Sequence, residues 1–170
     1  MANPFKIRVE HVSKIFGPDP KAALAKVNAG MSKADLLVQS KNILGLHDIN
    51  LNIRAGETFV IMGLSGSGKS TLIRHFNRLI EPTDGRILVD DVDVLSLNEP
   101  DLRAFRRKKI SMVFQRFALL PHKTVMENVS YGLVIDGMPK AQALAKGAEQ
   151  ITLVGLAGFE NHYPGQLSGG

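Results

Sequence analysis

Cysteine is absent from this 170-residue chain. That excludes a disulfide framework, a thiol nucleophile and a thiolate metal site, and it accords with a reducing compartment. Long apolar runs are also missing: no stretch approaches the roughly 20 residues that span a bilayer. The N-terminus, MANPFKIRVEHV, has no signal-peptide core. The chain is therefore expected on the cytosolic side, with any membrane role coming through a partner chain. Histidines 11, 47, 75, 122 and 162 are scattered without metal-ligand spacing, so surface or packing roles are expected for all five. Aromatic residues make up only 6% of the chain, and the basic run Arg103, Arg106, Arg107, Lys108 and Lys109 holds a single one, Phe105. A nucleic-acid stacking platform is not expected there. The run reads instead as a solvated helix capped by Asn98, with Asp101 in its first turn and the cations at its C-terminal end.

With 44% hydrophobic residues, the chain has enough apolar side chains for a buried core. Its most specific feature is the nonapeptide Gly63, Leu64, Ser65, Gly66, Ser67, Gly68, Lys69, Ser70, Thr71. Before it, Thr58 to Met62 reads as a strand; after it, Leu72, Ile73, Phe76, Leu79 and Ile80 recur at helical spacing. Glycines at 63, 66 and 68 allow the backbone to bend and turn its N–H groups inward, at the positive end of the following helix. A triphosphate suits such a loop. Lys69 is the expected catalytic contact to the β- and γ-phosphates, and the Ser70 hydroxyl the expected ligand of Mg²⁺.

Around this loop the pattern is mixed. Ile7 and Val9, then Ile49, Leu51 and Ile53, alternate as in antiparallel strands. Between them lies a helical insertion, residues 18–47, read as two short helices broken at Gly30 with Ser32 capping the second. A hairpin is expected over Arg86 to Val94 and a buried strand over Ile110 to Phe114, with Gln115 at its end. Beyond this the chain turns helical. Thr124 and Glu127 form a capping box for a helix to about Ile135. A second helix is expected to start at Pro139, to carry Leu144, Ala148, Ile151 and Val154 on one face, and to stop at Gly155. The last stretch reads as loop, with Ser168 as an N-cap.

A phosphate-loop NTPase needs a second apolar strand ending in a carboxylate that holds magnesium's water. Asp90 and Asp136 both end apolar runs, but the first lies in an alternating hairpin pattern and the second ends a helix. Neither fits a parallel strand. Phe16, just after the first strand, reads either as core or as a stacking surface for a nucleobase.

Four motifs in order, SKIFG, GLSGSGKST, MVFQ at Met112 to Gln115 and LSGG at Leu167 to Gly170, resemble the ATP-binding subunit of an ABC transporter. The resemblance implies that Phe16 stacks on adenine and that Gln115 contacts Mg²⁺ and senses the γ-phosphate. It further implies that Ser168, Gly169 and Gly170 grip the γ-phosphate bound to an opposite subunit. Tyrosine is commoner than phenylalanine at the adenine position, but the ring is what stacks. The phrases AGMSKADLL, VIMGLSGSGKST, NRLIEPTDG and RRKKISMVFQRFALLPHKTV narrow the likeness to ATPase subunits of glycine betaine/L-proline importers, the quaternary-amine uptake group. The implied fold is α/β, a P-loop NTPase core of ABC ATPase type with an antiparallel β layer and the start of a helical subdomain, truncated before the second carboxylate strand. Residues 1–116 would form the β layer and P-loop core, and 117–170 an incomplete helical subdomain. The implied cofactors are ATP and Mg²⁺. The implied partners are a second copy of the subunit, a transmembrane permease subunit with Phe117, Leu119, Leu120 and Pro121 near its docking groove, and, indirectly, a periplasmic or lipid-anchored substrate-binding protein. The implied place is the cytoplasmic face of the plasma membrane. The chain is read as a fragment ending in the signature, able to bind nucleotide but almost without hydrolysis of its own. A soluble P-loop kinase and a nucleotide-gated interaction module without turnover are the competing classes.

Overall fold

The computed structural model describes residues 4–114 and 118–167. The chain divides into two compact units, Met1–Ile110 and Ser111–Gly170. In the first unit, β1 (Phe5–Phe16), β2 (Ile43–Arg54), β3 (Asp84–Val89) and β4 (Val92–Asp93) form one sheet in the order β2-β1-β3-β4, with every neighbouring pair antiparallel. Val9 sits opposite Leu51 on one side and Ile87 on the other. The buried face changes parity along β1: Val9 is buried, and so are Val12 and Ile15. The cause is a bulge at His11, whose φ of 53° inserts an extra residue between the two registers. Asn50 Oδ1 accepts the displaced His11 N–H at 2.8 Å. Gly85 passes so close that a Cβ there would lie 2.5 Å from the His11 carbonyl oxygen. The expected hairpin is present, and its two-residue turn places Asp90 and Asp91 at φ 50° and 61°, the backbone that best matches strand twist.

Helices α3 (Lys69–Phe76) and α4 (Glu99–Lys108) bring Leu72, Phe76, Leu102 and Phe105 into one cluster with Val9, Val12, Leu46, Ile87, Val89 and Val94. Asn98 caps α4 by accepting the Asp101 N–H at 2.9 Å. The basic run on α4 is in part structural. Arg106 donates to the carbonyls of Asn77 and Arg78, at 2.9 and 2.8 Å, closing the C-terminal end of α3. Lys109 pairs with Asp90 at 3.1 Å.

The insertion forms α1 (Pro20–Asn28) and α2 (Lys33–Ser40). Asp19 accepts the Ala22 N–H and Pro20 opens α1, while Ser32 Oγ accepts the Asp35 N–H at 3.1 Å. Gly30 turns the chain between them at φ 99°. Ala23, Leu24, Val27 and Leu36 close on Ile15 in a second small core. The helical part ends at Ser40, and residues 43–47, expected within the insertion, belong to β2.

Two expected strands are not formed. Thr58 to Met62 and Ile110 to Phe114 have no ladder partner among the described residues. Met62 is 85% and Val113 96% exposed. A continuous apolar run becomes a parallel strand only between neighbours on both sides, and no described segment takes those places.

In the second unit, α5 (Val125–Ile135) opens on the expected capping box: Glu127 N–H donates to Thr124 Oγ1 at 3.2 Å and Thr124 N–H to Glu127 Oε2 at 2.9 Å. Asn128 fastens the preceding turn, accepting the Leu120 N–H and donating to the carbonyls of Leu120, Lys123 and Thr124. Helix α6 (Lys140–Leu153) starts one residue after Pro139, which caps it rather than opening it. Its buried face is Ala143, Gly147 and Ile151 with Leu144 and Ala148 at the margin, while Val154, expected on that face, is exposed past the helix end. Gly147 makes the approach to α5: a Cβ there would meet Met126 Sδ at 3.1 Å. A 3-10 turn, Pro164–Gln166, lies in the last stretch.

Candidate phosphate-binding site

The phosphate loop reaches its shape through backbone that only glycine adopts easily. Gly66 and Gly68 have φ 75° and 92°, and Gly63 φ 154°. The Ser67 N–H turns back to the Leu64 carbonyl at 3.2 Å, and the first helical bond of α3 runs from Leu72 N–H to Gly68 O at 2.8 Å. Gly68 caps the helix without a side chain. The N–H groups at the start of α3 therefore have no partner one turn back within the helix, and they stand at its positive end.

Lys69 Nζ bridges the loop, donating to the carbonyls of Gly63 at 2.8 Å and Leu64 at 2.6 Å, with Ser67 Oγ at 3.3 Å. Gly63 and Leu64 thus brace Lys69 through their carbonyls, while Gly66, Ser67, Gly68, Lys69, Ser70 and Thr71, but not Gly63, Leu64 or Ser65, line a cleft of about 260 Å³. Phe16 lines the same cleft. Its ring is 37% exposed, so it is neither core nor free surface. Lys14 Nζ lies 5.1 Å from the ring centroid.

Sequence reasoning missed four further lining residues, Lys33, Ile43, Leu44 and Gly45. Ile43 pairs with Phe16 across the β1–β2 ladder, a register no local pattern reveals. Gly45 lies under the ring: a Cβ there would be 2.7 Å from Phe16 Cε2. Gly68 presses on the same strand, where a Cβ would sit 2.6 Å from Gly45 O and 2.8 Å from Leu46 Cδ2. The loop and β2 approach so closely because both positions lack side chains.

Below the loop, His75 is fully buried on α3 and hydrogen-bonds through Nδ1 to the Thr71 carbonyl at 2.6 Å. Burial holds its imidazole pKa below the ordinary value. It is a packing histidine, as the sequence suggests. Asp90 is tied to Lys6 at 2.6 Å and to Lys109, contacts that hold its carboxyl below the usual range. It serves the β3–β4 turn and does not line the cleft. Asp136 is the C-cap of α5. No group of three or more His, Asp or Glu residues suited to a metal ion occurs among the described residues. Gln115, Phe117, Ser168, Gly169 and Gly170 lie outside the described residues.

A glycine-rich loop opening a helix and facing an aromatic from an antiparallel layer is the arrangement of a nucleotide-binding cassette. The profile of the ABC transporter family matches residues 46–170, and the chain belongs to that family. It is 51% identical to the glycine betaine transport ATP-binding protein OpuAA of Bacillus subtilis over 98% of its own length, and 46% identical to the glycine betaine/proline betaine transport ATP-binding protein ProV of Escherichia coli over 97%. It spans 40% and 41% of those two proteins. Among solved structures, an ATP-binding cassette determined as a post-hydrolysis dimer bound to ADP and Pi matches with TM-score 0.75 at 32% identity, covering 96% of this chain and 63% of that one. The fold is therefore that of an ABC ATPase cassette.

Proposed function

We propose that this chain is the nucleotide-binding part of an ATPase subunit that drives uptake of glycine betaine, proline or a related quaternary amine. The observation that carries the nucleotide part is the shared cleft: an aromatic ring from β1 and the N–H-rich loop of α3 face one space. The substrate class rests on relatives named for glycine betaine and proline betaine transport.

In this reading Phe16 stacks on adenine and the loop from Gly63 to Thr71 wraps the phosphates. Lys69 is held by two loop carbonyls; on binding it exchanges them for β- and γ-phosphate oxygens, a short movement within the loop. Ser70 lines the cleft, and a hydroxyl beside phosphate oxygens suits a hard cation such as Mg²⁺. Magnesium, when bound, offsets the charge of the β- and γ-phosphates. Gln115 would complete that contact and relay it to a permease subunit. Leu119, half exposed, would lie near the groove for the permease helix, beside Leu120 and Phe117. A second copy of the subunit would receive Ser168, Gly169 and Gly170 at its own γ-phosphate. A substrate-binding protein would deliver the osmolyte. No described helix is long and apolar enough to cross a membrane, so attachment to the cytoplasmic face would be through the permease.

The direct test is calorimetric titration of Mg-ATP into folded protein. Lys69→Ala is expected to weaken binding at least tenfold, about 1.4 kcal/mol or more; equal affinity in wild type and variant would overturn the site. Glycine betaine uptake by cells carrying the full-length subunit and its membrane partners should disappear with the same substitution. Uptake that persisted would remove the transport role.

A further inference from the structure

We infer that the two-helix insertion is a working wall of the nucleotide site, and that Lys33 is its contact, donating from the start of α2 to acceptor atoms at the purine and ribose end of the ligand. The inference rests on reading the cleft as an ATP site. Lys33 reaches the cleft from α2, outside both the phosphate loop and the β1–β2 ladder.

The cleft has a direction. Its phosphate end is fixed where Gly68 touches β2 at Gly45 and Leu46. Phe16 and Ile43 form the last rung of the β1–β2 ladder, and the insertion springs from the chain just beyond that rung. The insertion therefore joins the sheet at the aromatic end of the cleft, and Lys33 lines the cleft from it. A cation there would meet the ring nitrogens and ribose oxygens of a base stacked on Phe16.

The wall is rigid enough to place a side chain. Leu36 is fully buried and shares a core with Ile15, Leu24 and Val27. Ser32 fixes the first turn of α2, its Oγ accepting the Asp35 N–H and donating to Asp35 Oδ2 at 2.6 Å. Asn28 Oδ1 lies 3.0 Å from His47 Nε2 and ties the end of α1 to β2. Lys33 itself is exposed in the first turn of α2, where the helix dipole disfavours a cation. A neutral residue would serve the helix better. An ammonium at that position has a physical reason if a ligand with acceptor atoms occupies the cleft.

The test compares ATP and ADP affinities of the full-length subunit as wild type, Lys33→Met, Lys33→Arg and Lys69→Ala. Met keeps the apolar stem and Arg keeps the charge. Lys33→Met is expected to weaken ATP and ADP equally, by about three- to fivefold, the scale of an exposed charged contact. Lys33→Arg should retain most of the affinity, and neither variant should change the unfolding midpoint. Unchanged affinity in Lys33→Met, or a loss confined to ATP, would overturn the inference; the second result would move Lys33 to the phosphates. If Lys69→Ala bound as well as wild type in the same titrations, the reading of the cleft itself would fail. With Lys69→Ala impaired and Lys33→Met normal, only the role of the insertion fails.

Discussion

Gly45 shows how much of the site depends on an atom that is not there. Its bare Cα lets the edge of Phe16 rest over β2, and its carbonyl receives the close pass of Gly68. In Gly45→Ala the new methyl would stand 2.7 Å from Phe16 Cε2, and the partly exposed ring has room to swing away. The fold should survive while the stacking surface is lost. Calorimetry should then show ATP affinity lowered by about 1–2 kcal/mol, the scale of base stacking and the same as for Phe16→Ala, at an unchanged urea midpoint. Full affinity in Gly45→Ala would detach Phe16 from adenine. At this scale the sequence is uneven. The phosphate loop is legible because its glycines, lysine and hydroxyls are consecutive and each has its own chemical reason. Gly45 and Lys33 are not, since they join the site through a strand register and a helix packing that lie far from the loop in sequence.

Elements whose signals are local match the sequence expectation closely. Ser32, Asn98 and Thr124 each accept the N–H three residues on, and a cap of that kind is read from neighbouring residues alone. The strand expectations for Thr58 to Met62 and Ile110 to Phe114 depend on partners elsewhere in the chain, so an apolar run was insufficient. Helix α3 shows a third case, in which a cap comes from another helix. Arg106 closes its C-terminal carbonyls, yet nothing near residue 76 in sequence announces it. Arg106→Ala should cost about 1–3 kcal/mol, because two partly buried acceptors lose a charged donor. Urea denaturation of the purified protein measures this. A loss below about 0.5 kcal/mol would show that solvent replaces the arginine.

For the molecule as a whole, nucleotide binding and hydrolysis make different demands on the site. The described residues lining the cleft include two lysines and three hydroxyl-bearing residues, Ser67, Ser70 and Thr71, but no carboxylate, while Asp90 is held by Lys6 and Lys109. General-base assistance is worth about 10²- to 10⁴-fold. The 170-residue polypeptide is therefore expected to bind ATP and to release phosphate at a rate near background. Robust turnover that disappears with Lys69→Ala would show that a residue not assigned to the site supplies the base. The rung that joins Phe16 to Ile43 has one more consequence. It is the terminal rung of its ladder, and terminal rungs open and exchange their amide hydrogens before central ones. What holds it closed is the small core of Leu36, Leu24, Val27 and Ile15, separate from the sheet's main core. On warming, the Phe16 end of the cleft can therefore come apart by a local opening of the insertion while the loop from Gly63 to Thr71 and the sheet behind it remain folded.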